Sequence, residues 1–274
     1  MQTISTGGAN IPALGFGTYR MNGQEVREMV PHALAAGFRH FDTAQFYGTE
    51  ADLGAALHQS GIARSELFLT TKVWVANYDS AKFARSVDES LNKLQTNYVD
   101  LLLLHWPSKD VPLATQVAGL EAAKRNGATH HIGVSNFTID LVNRARNLTQ
   151  SPIVTNQVEY HPFLDQSKLI SAMRADNIAL TAYYGMADGR VFSDPNIMFI
   201  ARRHGKTPAQ VVLRWLVQQN IAALTKTSKP SRAAENANIF DFELPVDEVE
   251  RIGQLARPNG RLVNPPGLAP SWDT

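Results

Sequence analysis

Val99-Asp-Leu-Leu-Leu-Leu-His105 is a short, nearly continuous apolar run that stops on an imidazole, with Trp106-Pro107 directly after it. Its length suits a strand, and its unbroken apolar character suits a strand covered on both faces, as in a parallel sheet. Seven further runs share the form: Leu14–Gly17, Phe38–Phe41, Leu67–Thr71, His131–Val134, Val154–Val158, Ala179–Ala182 and Ile221–Leu224. Between them lie amphipathic segments of helical spacing, among them Glu25–Ala36, Lys82–Leu94 and Pro208–Gln219. The last carries Thr207 as N-cap and proline at the first helical position. Strands alternating with helices predict a parallel α/β fold, and eight strands close a single (β/α)8 TIM barrel. A doubly wound sheet would carry a glycine fingerprint after its first strand. Gly15-Phe-Gly17 instead continues as Thr-Tyr-Arg20, without the third glycine, and no G-x-x-x-x-G-K-[ST] loop occurs.

The 274 residues, 44% hydrophobic and 19% charged, suit one barrel domain spanning 1–274. A short C-terminal tail, residues 258–274 with Pro265-Pro266-Gly267, is expected near the mouth of the active site. With no cysteine, the chain has no disulfide framework, no thiolate nucleophile and no Cys-ligated metal. Lys plus Arg number 26 against 25 Asp plus Glu, and no basic run suggests a nucleic-acid or membrane partner. The N-terminal segment lacks a leader pattern, and the apolar runs fall short of the ~18 residues of a membrane helix. The expected location is the cytoplasm. No H-E-x-x-H spacing is present, and His130-His131 and His161 read as structural, so no metal is expected.

The apolar runs end on side chains with chemical capability: Asp42, Lys72, His105, Ser135 with Asn136, Gln157, Tyr183 and Lys226. Barrel active sites collect residues from the C-terminal ends of several strands. Singly, each has a plain reading: a core histidine at 105, a strand-end cap at Asp42 or Ser135-Asn136, packing for Gln157 and Tyr183. Repetition at the same end of strand after strand is harder to assign to packing. Tyr47 lies just past the second strand, and grouping it with Asp42, Lys72 and His105 gives a proton-donating set. A phenol is a weak acid at neutral pH. A buried ammonium would stabilise the phenolate, a carboxylate would hold the ammonium, and a neutral imidazole would orient a carbonyl oxygen.

Hydride must then come from a bound cofactor, because no side chain carries it. Past the eighth strand, Lys226-Thr-Ser228, Arg232, Glu235 and Asn236 offer a phosphate site at a helix start. Ser135-Asn136 suit a carboxamide, and Tyr183 could stack a nicotinamide ring. The combination points to NADPH.

At these residues the chain resembles the aldo-keto reductase family, through GFRHFDTAQFYGTE, FLTTKVW, LQTNYVDLLLLHWP, IGVSNFT, TNQVEYHP and KTSKPSRAAEN. The resemblance spans almost the whole chain, from Leu14 to the tail. It implies a catalytic tetrad at Asp42, Tyr47, Lys72 and His105, and nicotinamide contacts at Ser135, Asn136, Gln157 and Tyr183. It further implies adenosine-phosphate contacts at Lys226, Thr227, Arg232, Glu235 and Asn236, and ordered binding with NADPH first. Within the family the chain is similar to the bacterial 2,5-diketo-D-gluconate reductase (type B) branch, whose members also reduce methylglyoxal. A monomer is the implied state. Departures are Tyr19 where many members carry Trp, Tyr183-Tyr184-Gly185 for Tyr-Ser-Pro, a short loop to Arg190, and Thr225 for Pro. Tyr19, Phe46, Trp74, Trp106 and Trp272 are candidates for an aromatic-walled substrate cleft, although packing aromatics would look the same. A redox-sensing or structural barrel with little turnover is the rival reading; a Schiff-base barrel using Lys72 is a third.

Overall fold

A computed structural model describes residues 2–273, so Met1 and Thr274, the ends of the expected domain and tail, lie outside the described residues. The chain opens with an antiparallel hairpin, β1 (Thr3–Thr6) and β2 (Ala9–Pro12). The order is then β3 (Leu14–Gly17), α1 (Gly23–Ala35), β4 (His40–Asp42), α2 (Glu50–Gln59), β5 (Phe68–Val73), α3 (Ser80–Leu94), β6 (Val99–Leu104) and α4 (Leu113–Arg125). It continues with β7 (Thr129–Ser135), α5 (Ile139–Arg146), β8 (Ile153–Glu159), α6 (Ser167–Ala175), β9 (Ala179–Tyr183), α7 (Pro195–His204), α8 (Pro208–Gln218), β10 (Ala222–Thr225), α9 (Pro230–Ala237) and α10 (Val246–Gly253). Strands β3 to β10 pair in parallel, and β10 returns to β3, closing the barrel. The eight apolar runs are these eight strands, with no end shifted by more than two residues. Sheet hydrogen bonding fixes the ends, and hydropathy does not see it.

Two helices, α7 and α8, fill the long interval between β9 and β10. Helix α8 starts where its cap chemistry says: the Thr207 hydroxyl accepts from Gln210 N–H while Gln210 answers on the Thr207 N–H, and Pro208 opens the first turn. The leading hairpin escaped the hydropathy pattern because its strands alternate buried and exposed residues and form no continuous apolar run. Gly7 (φ 51°) and Gly8 (φ 85°) supply the positive dihedrals of a two-residue turn. Thr6 Oγ1 donates to the carbonyls of Val154 and Asn177, seating the hairpin across the N-terminal ends of β8 and β9. The opposite ends of the strands are left free for chemistry.

Gly15 shows why the Gly15-x-Gly17 pair is not a phosphate loop. A Cβ there would stand 2.7 Å from His40 Nδ1 and from a Leu224 methyl, so the glycine admits close packing of β4 and β10 against β3. The barrel wall is apolar from Leu14 and Phe16 round to Leu101–Leu104 and Ala222–Ala223, all buried. Among the described residues, no helix is long and apolar enough to cross a membrane.

Candidate active site

Lys72 enters the barrel mouth from the end of β5 with none of its surface exposed. Its Nζ donates to Asp42 Oδ1 at 2.5 Å, to the Thr43 carbonyl at 2.9 Å and to Tyr47 Oη at 3.4 Å. The second Asp42 oxygen accepts from Gln157 Nε2 at 2.8 Å. A buried ion pair persists only when its remaining polar atoms are also bonded, and this one meets that condition. Tyr47 reaches the site from a single 3-10 turn, Gln45–Tyr47, after β4; Gly48, at φ 70°, ends the turn. His105 follows β6, its ring 5.5 Å from that of Tyr47 and edge-on to it. The four tetrad candidates therefore converge from three consecutive strand ends.

Burial sets the protonation of the group. It pushes the Tyr47 phenol well above its ordinary value of 10.0, with the Asp42 charge adding to the rise. Lys72 Nζ lies 3.4 Å from the phenol oxygen, within reach of a phenolate formed there. Burial also lowers Lys72, although the Asp42 carboxylate opposes it. His105 is held well below 6.5 by burial and then by the Lys72 charge, so its imidazole is neutral at pH 7. Its Nδ1 is buried without a hydrogen-bond partner among the described residues.

The nicotinamide candidates form one adjoining patch. Ser135 Oγ donates to the Gln157 carbonyl at 2.8 Å, and Asn136 Nδ2 donates to the His105 carbonyl at 3.0 Å. Tyr183 donates its hydroxyl to Asn136 Oδ1 at 2.7 Å. Asn136 sits at φ 63°, a backbone state that asparagine tolerates better than most residues. The set fits a carboxamide in its chemistry: a hydroxyl, the Asn136 and Gln157 amides and the Tyr183 phenol are gathered at adjoining strand ends. Lys226 and Arg232 are exposed at the β10 end and on α9, as an outer phosphate clamp requires. Thr227 is buried and accepts from Lys229 N–H at 3.0 Å. Glu235 and Asn236 are tied to the protein itself, Glu235 by Thr207 Oγ1 and Asn236 by Thr225 Oγ1.

The aromatic candidates split into two groups. Tyr19 lies 5.0 Å from Tyr47, Trp74 lies 5.2 Å from His105, and Phe46 stacks on Trp74 at 4.2 Å, a continuous wall round the tetrad. Trp106 and Trp272 pair separately at 6.3 Å. Trp106 is buried, its carbonyl accepting from the Tyr78 hydroxyl.

Three features escaped the sequence reading. Glu159, fully buried, accepts from the Leu262 and Val263 N–H groups at 2.7 and 2.9 Å and from His161 Nε2 at 3.0 Å. Arg261 lies 3.6 Å from the same carboxylate and over the Trp272 ring, so Glu159 fastens the tail to the barrel rim. The signal was present: an acid ending an apolar strand stays buried only with partners. The short loop after Tyr183 also reaches the loop after β3, where Arg20 pairs with Asp188 at 3.2 Å and Tyr184 donates to the same carboxylate. Tyr184, Ala187 and Asp188 all take positive φ there. Gln45, the third, binds the turn of Tyr47 to α3 and the β5 loop. Among the described residues no cluster could hold a metal ion.

Residues 13–257 match the model of the Aldo/keto reductase family. The chain is 42% identical over 267 residues to methylglyoxal reductase DkgB of Yersinia pestis, covering 96% of this chain and 100% of that one. It is 36% identical to glyoxal reductase of Bacillus subtilis (strain 168), covering 95% of each. A crystal structure provisionally named 2,5-diketo-D-gluconic acid reductase B superposes with a TM-score of 0.99 at 55% identity, covering 100% of this chain and 98% of that chain.

Proposed function

Because the chain belongs to the aldo/keto reductase family and so to oxidoreductases acting on carbonyl groups, we propose that it reduces small dicarbonyls such as methylglyoxal, or keto sugars such as 2,5-diketo-D-gluconate, with NADPH. The observation that carries the reading is the threefold hold on Lys72, which ends on the Tyr47 hydroxyl.

Held at the barrel mouth by the strand-end residues, NADPH would supply the hydride that reduces the carbonyl carbon. Tyr47, kept protonated by its surroundings, gives its proton to the carbonyl oxygen and the product leaves as an alcohol. Lys72, whose Nζ lies 3.4 Å from the phenol oxygen, limits the cost of the phenolate left behind. Asp42 keeps Lys72 charged and in place. The neutral His105 donates a hydrogen bond to the same carbonyl oxygen and fixes its direction. Ser135, Asn136 and Gln157 would hold the carboxamide, and Tyr183 would carry the ring. Lys226 and Arg232 would bind the 2′-phosphate, with Thr227, Glu235 and Asn236 shaping the adenosine end. Tyr19, Phe46, Trp74, Trp106 and Trp272 would wall the substrate cleft. A monomeric, single-domain, cytoplasmic enzyme completes the reading.

Loss of NADPH absorbance on adding methylglyoxal, with hydroxyacetone or lactaldehyde formed in equal amount, is the expected result. Tight NADPH binding without turnover on any of a panel of aldehydes and ketones would mean a sensing barrel instead.

A further inference from the structure

One wall of the proposed carbonyl site depends on a side chain behind it. Gln45 opens the turn that carries Phe46 and Tyr47, and its carboxamide is bonded on every side. Nε2 donates to the Ser86 carbonyl at 3.0 Å and to Ser90 Oγ at 3.2 Å, both on α3. Oε1 accepts from the Trp74 N–H and from Asn77 Nδ2, each at 2.9 Å, both in the segment after β5. An amide has two donors and two lone pairs, so its capacity is fully used.

The bond to Trp74 is made to its backbone, at the point where the chain leaves β5, so it fixes the base of that side chain. The Phe46 ring lies face to face with Trp74, at 4.2 Å and 23°, and Trp74 in turn lies edge-on to His105. Aromatic pairs left to themselves prefer centroids roughly 4.5–7 Å apart, offset or edge-on. This pair is tighter, and Phe46 is 58% exposed, so overlying protein does not press it into place. An open cavity of about 170 Å³ adjoins the stack, bordered by Gln45, Ser86, Ser90 and Asn77, and gives the rings room to retreat.

We propose that Gln45 is a positioning residue that holds the Phe46–Trp74 wall forward, and that it thereby favours small dicarbonyls over bulky ones. The kinetic consequence rests on the reductase reading; the position of the wall does not.

Gln45→Met keeps the length and removes all four hydrogen bonds, and Gln45→Glu keeps the acceptor oxygen while removing both donors. With NADPH, Gln45→Met should raise KM for methylglyoxal on the order of tenfold while kcat changes less than about threefold. The ratio of kcat/KM for phenylglyoxal to that for methylglyoxal should rise by about the same tenfold, with Gln45→Glu between. In a Trp74→Ala background the Gln45 substitution should leave that ratio unchanged, because the wall it holds is gone. Independently of turnover, the Trp74 emission, isolated as the difference from Trp74→Phe, should become easier for acrylamide to quench in Gln45→Met. Unchanged quenching and an unchanged ratio in a folded Gln45→Met overturn the proposal, as does a ratio shift that survives undiminished without Trp74. If Gln45→Met does not fold, Gln45→Glu decides by the same measurements. A parent that reduces neither aldehyde defeats the reductase reading, and the quenching result still decides Gln45.

Discussion

Lys72 and Lys226 occupy matching places on the scaffold, each at the C-terminal end of a barrel strand, and they live in opposite surroundings. Lys72 has no exposed surface and is bonded to Asp42, Thr43 and Tyr47. Lys226 is exposed and, among the described residues, donates to the Arg20 carbonyl at 3.0 Å. A buried charge acts at nearly full strength on its neighbours and fails badly when its partner is lost. An exposed charge is screened within about 8–10 Å at ordinary ionic strength, so it adds affinity in modest, salt-sensitive steps. One mouth of one barrel therefore holds two electrostatic regimes, a dry end around Lys72 and a wet end around Lys226.

Substitution at the dry end should do the most damage. Lys72→Met is expected to abolish turnover and to lower unfolding free energy by about 3–5 kcal/mol, since Asp42 is left buried with only Gln157. Denaturant titration checks this; an unchanged midpoint would show that Asp42 simply takes up a proton. Tyr47→Phe isolates the proton from the charge. NADPH affinity should hold while turnover falls by about 10²–10⁴-fold, the usual contribution of a placed general acid. Activity within a few-fold of the parent would remove Tyr47 from the role.

At the wet end, Lys226→Ala with Arg232→Ala should weaken NADPH binding by some 10²-fold and leave NADH nearly untouched, after allowing for exposure. Fluorescence titration in rising salt should reproduce part of that loss in the parent. Equal parental affinity for the two cofactors would place the phosphate clamp elsewhere.

The smallest effect is on pH stability, and it again separates buried from exposed groups. Burial holds His105 well below 6.5 and lowers His40 as well. As pH falls, the unfolded chain binds protons near 6.5 while the folded chain does not, so the stability of the neutral form is lost progressively below that value. Melting temperature should therefore drop between about pH 7 and about pH 5, and His105→Gln should flatten part of the slope. An equally steep slope in that variant would assign the acid sensitivity to other groups.

Barrel architecture was open to reading from Val99–His105 and its seven counterparts, because covered parallel strands must be apolar along their length and hydropathy records that directly. The candidates were taken from where those runs stop, and the fold brings Asp42, Tyr47, Lys72 and His105 together at that end. The strands of the leading hairpin alternate buried and exposed residues and so show no apolar run, and their place is fixed by Thr6 bonding to segments 148 and 171 residues away. The direction of the Tyr47 shift was likewise invisible. How far the phenol is stripped of water, and how near the Asp42 charge comes, depend on burial, which belongs to the assembled mouth. Glu159, Gln45 and Asp188 look ordinary in the chain for the same reason. What each of them does is set by partners brought together from 103, 29 and 168 positions away, and only closure of the barrel makes those distances short.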